Sequence, residues 1–127
     1  MSALTPTVAH RTARNQASLD MAHAGSAAPA IKLFTEFGGT LVALRTLKRP
    51  CGVINALGRI ELRQADVDDL VVATGTATYG EWVAGDGAVL GYGDVSDTQG
   101  AGVFRLVGGT ALIQGGILRL SEPALLG

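Results

Sequence analysis

The chain has 127 residues, 18 of them glycine and four proline; it is 47% hydrophobic and carries a formal net charge of −1. Such a length makes one domain with a core of its own, and a near-neutral charge argues against a general nucleic-acid binder. The single Cys51 excludes an intrachain disulfide framework and a cysteine zinc site. No window holds 18 consecutive apolar residues, so no membrane-spanning helix is expected, and the polar start lacks the apolar run of a secretory signal.

Residues 1–9 (MSALTPTVA) have no periodicity and read as a mobile or partner-ordered tail. Residues 10–24 (HRTARNQASLDMAHA) are rich in Ala and Arg and predict a short helix ending near Gly25. Its apolar face is thin, with Leu19 and Met21 as the only large groups. A helix so poor in apolar surface is marginal alone, so it is either docked on its own domain or held by a neighbour. Residues 25–30 (GSAAPA) have a linker composition. The expected division is therefore an N-terminal arm over 1–30 and a β domain over 31–127.

Alternation of apolar and polar residues then predicts a series of short strands. Residues 31–37 (IKLFTEF) form the first, and Gly38-Gly39 turns the chain. Residues 40–47 place Leu41, Ala43, Arg45 and Leu47 on one face of a second strand, which residues 48–52 (KRPCG) break. Val53-Ile54 reads as a short edge strand. In residues 59–63 (RIELR), Ile60 and Leu62 face inward and the charged residues outward. Residues 74–84 (TGTATYGEWVA) and 88–92 (AVLGY) read as a hairpin joined by Gly85-Asp86-Gly87. Four glycines between Gly75 and Gly87 would each cost a helix about 1 kcal/mol relative to Ala. Residues 93–102 make an exposed loop. Residues 103–107, 111–114 and 117–120 are closing strands punctuated by double glycines, and Pro123 confines any later strand to an edge. The expected fold is mainly β: an antiparallel β-sandwich or small barrel of about eight short strands, preceded by the arm with its one short helix.

Chemistry-bearing residues are sparse. His10 and His23 both fall in the predicted helix, where surface histidines are far commoner than a catalytic base. Cys51 reads as a structural thiol. Asp86, Asp94 and Asp97 lie among glycines but lack the spacing of a calcium loop, and GDGAVLG is a hairpin turn with no helix after it, unlike a dinucleotide loop. Trp82, Tyr79 and Tyr92 pack across strands more readily than they make a stacking platform for bases or sugars. No enzyme, cofactor or metal is expected. Charge is segregated: residues 45–63 hold five basic groups against Glu61, and residues 64–103 hold seven acidic groups and no Lys or Arg. Such segregation orients one protein against another unless folding interleaves the segments.

The series GTATYGEWV, GDGAVLGYGDV and VGGTALIQGGILRL resembles a family of small proteins of tailed bacteriophages and prophages. The resemblance runs over about residues 14–121. Its motifs are Gly75-Thr76-Ala77-Thr78-Tyr79, Gly93-Asp94-Val95 and Ile113-Gln114-Gly115-Gly116. The helix over residues 14–24 and the Phe37-Gly38-Gly39 turn also fit. Where the family usually carries Trp, this chain has Tyr79. The resemblance implies a virion structural protein, assembled in the bacterial cytoplasm and most simply a capsid decoration or cement protein. A tail or head–tail junction component, and a carbohydrate-binding module acting through Trp82 and Tyr92, are the alternatives. The implied partners are capsid or tail subunits and further copies of the chain, with no membrane and no specific nucleic acid. The residues assigned to partner binding are Arg11, Arg14, Leu19 and Met21 on the helix, and Arg45, Lys48 and Arg49 after it.

Overall fold

A computed structural model describes residues 4–127. It is mainly β, with 42% strand and 12% helix. The helix α1 spans Val8–Ala22 and starts where Thr7, in extended conformation, accepts a hydrogen bond from the His10 amide (3.1 Å). Asn15, Leu19 and Ala22 recur at helical spacing and are its buried residues.

Eleven strands follow: β1 (Ala30–Phe34), β2 (Leu41–Ile54), β3 (Ile60–Gln64), β4 (Asp69–Leu70), β5 (Gly75–Thr76), β6 (Tyr79–Val83), β7 (Val89–Asp97), β8 (Phe104–Leu106), β9 (Ala111–Leu112), β10 (Ile117–Leu118) and β11 (Leu125–Leu126). Seven form one curled sheet, a half-barrel, in the order β11-β3-β2-β1-β6-β7-β8. Two ribbons, β10-β4 and β5-β9, lie beside it. The sheet is antiparallel except at β7 and β8, which run parallel with Val95 opposite Phe104. The mainly β fold agrees with the expectation from alternation.

The predicted break after Leu47 is a bend instead. One strand runs from Leu41 to Ile54, pairing with β1 up to Thr46 and with β3 at Leu47 and again from Gly52 onward, with a register shift between Leu47 and Gly52. Pro50, which lacks an amide donor, sits in that irregular stretch and removes no ladder bond. The hairpin β6–β7 turns at residues 84–88, where Ala84 N donates to Ala88 O (2.8 Å), Ala88 N to Asp86 Oδ1 (3.0 Å), and Gly87 takes φ +92°. Gly80 faces inward against Phe104, whose ring would lie 2.6 Å from any Cβ added there, so β8 closes on the sheet only over glycine.

The end of the chain ties the two margins of the curl together. Ser121 N donates to Arg105 O (2.8 Å) and Val107 N to Arg119 O (3.1 Å) beside β8, while Leu62 N donates to Ala124 O (2.8 Å) beside β3. The enclosed core gathers Ile31, Leu33, Leu47, Ile60, Leu62, Trp82, Phe104, Leu106, Leu118 and Leu120. Leu19 and Ala22 of α1 belong to the same cluster.

That last fact puts the helix on the same core as the strands, on either side of the expected boundary at residue 30. The helix is docked on its own domain: Asn15 Nδ2 donates to Gly58 O (2.7 Å), Arg11 Nη1 to Leu57 O (2.9 Å), and Cys51 N to His23 Nε2 (3.0 Å). After the helix, the Arg49 guanidinium donates to the carbonyls of His23, Gly25 and Ala27, holding the expected linker against β2.

A charge is buried within this frame. Arg45, fully enclosed, donates from Nε to Gln64 Oε1 (2.9 Å), from Nη2 to Ala65 O (2.7 Å), and from Nη1 to Val67 O (3.1 Å) and Asp69 Oδ2 (3.0 Å). Asp69 in turn accepts from Thr46 N (2.6 Å) and Thr46 Oγ1 (3.0 Å). The Gln64 amide continues the network to the end of the chain, donating to Leu120 O (3.0 Å) and accepting from Leu120 N (2.8 Å). Apart from the Arg45–Gln64 bond, which links β2 to β3, these bonds tie β2 or β3 to the segments around residues 65–69 and 120.

Candidate interaction surface

Strand alternation that sends Ile31, Leu33 and Trp82 inward sends Lys32, Phe34, Tyr79, Glu81 and Tyr92 outward. The ladders then set their neighbours. Phe34 stands opposite Tyr79, Tyr79 opposite Asp94, Lys32 opposite Glu81, and Glu81 opposite Tyr92. The turn after β1, closed by Thr35 N to Thr40 O (3.0 Å), with Gly38 at φ +73°, brings Phe37 over the same face.

These aromatic groups touch one another. Tyr79 is the hub: its ring centroid lies 5.5 Å from Phe37 in an edge-on contact, 5.8 Å from Tyr92 and 6.0 Å from Phe34. Phe37 is 81% exposed and Tyr92 74% exposed, so the cluster has a packed centre and an open rim. Scattered exposed apolar residues are ordinary, but contiguous aromatic surface on a sheet face marks an interaction site. Tyr79 Oη donates to Glu81 Oε2 (3.2 Å). Partial desolvation, and then Glu81 and Tyr92, raise the Tyr79 pKa above the ordinary tyrosine value, so the phenol stays a neutral donor at physiological pH. The face thus offers rings to stack against, with the carboxylates Glu81 and Asp94 and the ammonium of Lys32 for orientation.

The residues assigned to partner binding fall elsewhere and do not form one surface. Leu19 is 5% exposed and Arg45 is fully buried. Each occupies an inward face of its element. Arg49 is exposed but its guanidinium is taken up by carbonyls of its own chain. Arg11 is half-buried and bonded to Leu57 O. Arg14, Met21 and Lys48 remain exposed, Lys48 beside Asp66 at 3.3 Å. Trp82 is 6% exposed and cannot stack on a sugar, which removes that anchor of the carbohydrate reading. Phe34 and Phe37 were missed as surface groups, although the parity that buries Ile31 and Leu33 already puts Phe34 on the other face.

The histidines and Cys51 stand apart from the aromatic face. His23 Nε2 is an acceptor for Cys51 N, and His10 lies exposed at the start of α1. Burial raises the Cys51 thiol pKa, against smaller lowering effects from its own amide, Trp82 and Arg49; such a thiol is inert. Among the described residues no group of three His, Cys, Asp or Glu side chains is placed to hold a metal ion. No protein-family model, curated protein or solved structure matches the chain.

Proposed function

We propose that this protein is a bacteriophage virion component that decorates the capsid, and that it works by binding a shell subunit through the aromatic face centred on Tyr79. The observation that carries this reading is the position of Tyr79. It ends the motif Gly75-Thr76-Ala77-Thr78-Tyr79, on which the resemblance to virion proteins rests, and it is also the hub of the exposed aromatic cluster. A second motif residue, Asp94, stands directly opposite it. The two motifs, on the paired strands of one hairpin, thus meet on one open surface.

The docked helix changes how such binding works. With α1 packed on its own sheet, affinity comes from a preformed face, and little ordering of an arm opposes association. Weak contacts repeated over many copies on a symmetric shell add up to firm attachment. A tail or junction position would use the same face in fewer copies.

Radical footprinting of free protein against particle-bound protein tests the reading. Oxidation of Phe37, Tyr79 and Tyr92 is expected to fall severalfold in the particle, while Met21 on the far helix keeps its rate. Equal rates at all three rings in the two states would rule this face out.

A further inference from the structure

Between β3, β8 and the end of the chain lies a groove of about 560 Å³. Its walls include the side chains of Arg59, Phe104, Arg105, Leu120, Glu122 and Leu126. The groove exists because the terminal segment crosses from one margin of the curled sheet to the other, bonding to Arg105 and Val107 on one side and to Leu62 on the other.

The guanidiniums of this groove are poorly satisfied. Among the described residues only two buried side-chain polar atoms lack a hydrogen-bond partner, and one is Arg59 Nε. The remaining Arg59 contact, Nη2 to Leu125 O, is 3.4 Å long. Arg105 reaches only Gly102 O, from Nε and also at 3.4 Å. Both are at the outer limit for such bonds. Ion pairs among the described residues involve Arg45, Lys48 and Arg119, so neither Arg59 nor Arg105 is neutralised by a carboxylate. Glu122, the acidic residue of the wall, already accepts a hydrogen bond from Gln64 Nε2 (3.0 Å). A buried donor without an acceptor is costly, whereas a guanidinium fork suits the paired oxygens of an oxyanion.

We propose that this groove is an oxyanion-binding site in which Arg59 is the primary ligand and Arg105 the second. The bound group presents oxygen acceptors to the guanidinium groups of Arg59 and Arg105 and is either a phosphoryl or a carboxylate group. The site lies apart from the aromatic face and does not depend on the function proposed above.

The test is a titration of the intact protein followed by ¹H–¹⁵N NMR at the arginine Nε–H signals, with inorganic phosphate, acetate and chloride at matched ionic strength. The Arg59 Nε–H signal is expected to shift saturably with phosphate, with acetate or with both, and the pattern distinguishes the phosphoryl source from the carboxylate source. Arg59→Lys keeps the charge but loses the planar guanidinium fork and should weaken binding about tenfold. Arg105→Gln, at the exposed position of strand β8, should weaken it by a smaller factor. Absence of saturation in the wild-type protein, or the same shift with chloride, would overturn the proposal. So would undiminished binding in an Arg59→Lys variant that melts like the wild type.

Discussion

Arg45→Met is expected to cost about 3 kcal/mol of folding stability, and so to lower the melting temperature by roughly 10 °C. Methionine matches the apolar stem and leaves little cavity, so lost packing is not the main cause. The cost comes from what the guanidinium leaves behind. Gln64, Ala65, Val67 and Asp69 each lose a donor that nothing else supplies from that direction. The Asp69 side chain is 22% exposed, so water relieves part of its charge, and the estimate sits at the low end for breaking a buried pair. Adding Asp69→Asn should restore part of the loss, because it removes the orphaned charge and keeps an oxygen for the Thr46 amide. Calorimetry on both variants checks this. A loss under about 1 kcal/mol for Arg45→Met would mean that the arginine anchors nothing.

Removing residues 1–24 is expected to unfold most of the protein. An arm that gained order only from neighbours would leave the β domain untouched. Here the deletion strips Leu19 and Ala22 from the core cluster. It also takes the Asn15 donor from Gly58 O and the His23 acceptor from Cys51 N. Burying one leucine contributes about 2 kcal/mol and each lost buried partner about 1–3 kcal/mol. Their sum rivals the whole stability of a domain this size, which is about 5–15 kcal/mol. Leu19→Ala is the milder version and should cost about 2–4 kcal/mol. Urea unfolding of the shortened chain decides the matter: a midpoint equal to that of the full protein would make the helix a free arm after all.

How far the fold could be read from the residues depended on local strength of signal. The β6–β7 hairpin was legible because Asp86 and Gly87 encode the turn within a few residues. The strand over Arg59–Arg63 was legible because its alternation is unbroken. Alternation also put Arg45 on the same face as Leu41, Ala43 and Leu47, and its charge alone suggested a partner outside. The partners, Gln64 and Asp69, lie some twenty positions away, where no local pattern links them. Pro50 looked like an end of strand because a proline signals lost pairing, and only the change of partner strand around it shows that no pairing is lost. The aromatic surface was half visible. Tyr79 and Tyr92 stood out by composition, Trp82 drew attention that burial does not support, and Phe37 reaches the cluster only through a turn closed in three dimensions.

On the function proposed above, the helix and the aromatic face together define how the protein would bind. Its core takes in the helix, and its largest contiguous aromatic group is left on the outside of the sheet. The most direct measurement is the copy number of a Phe37→Ser/Tyr79→Ser protein in purified particles, counted by quantitative mass spectrometry beside the wild type. Both substitutions lie on the outer face, so the soluble protein should melt within a few degrees of wild type. The account predicts particles nearly empty of the variant. Particles carrying it at wild-type copy number would contradict the account.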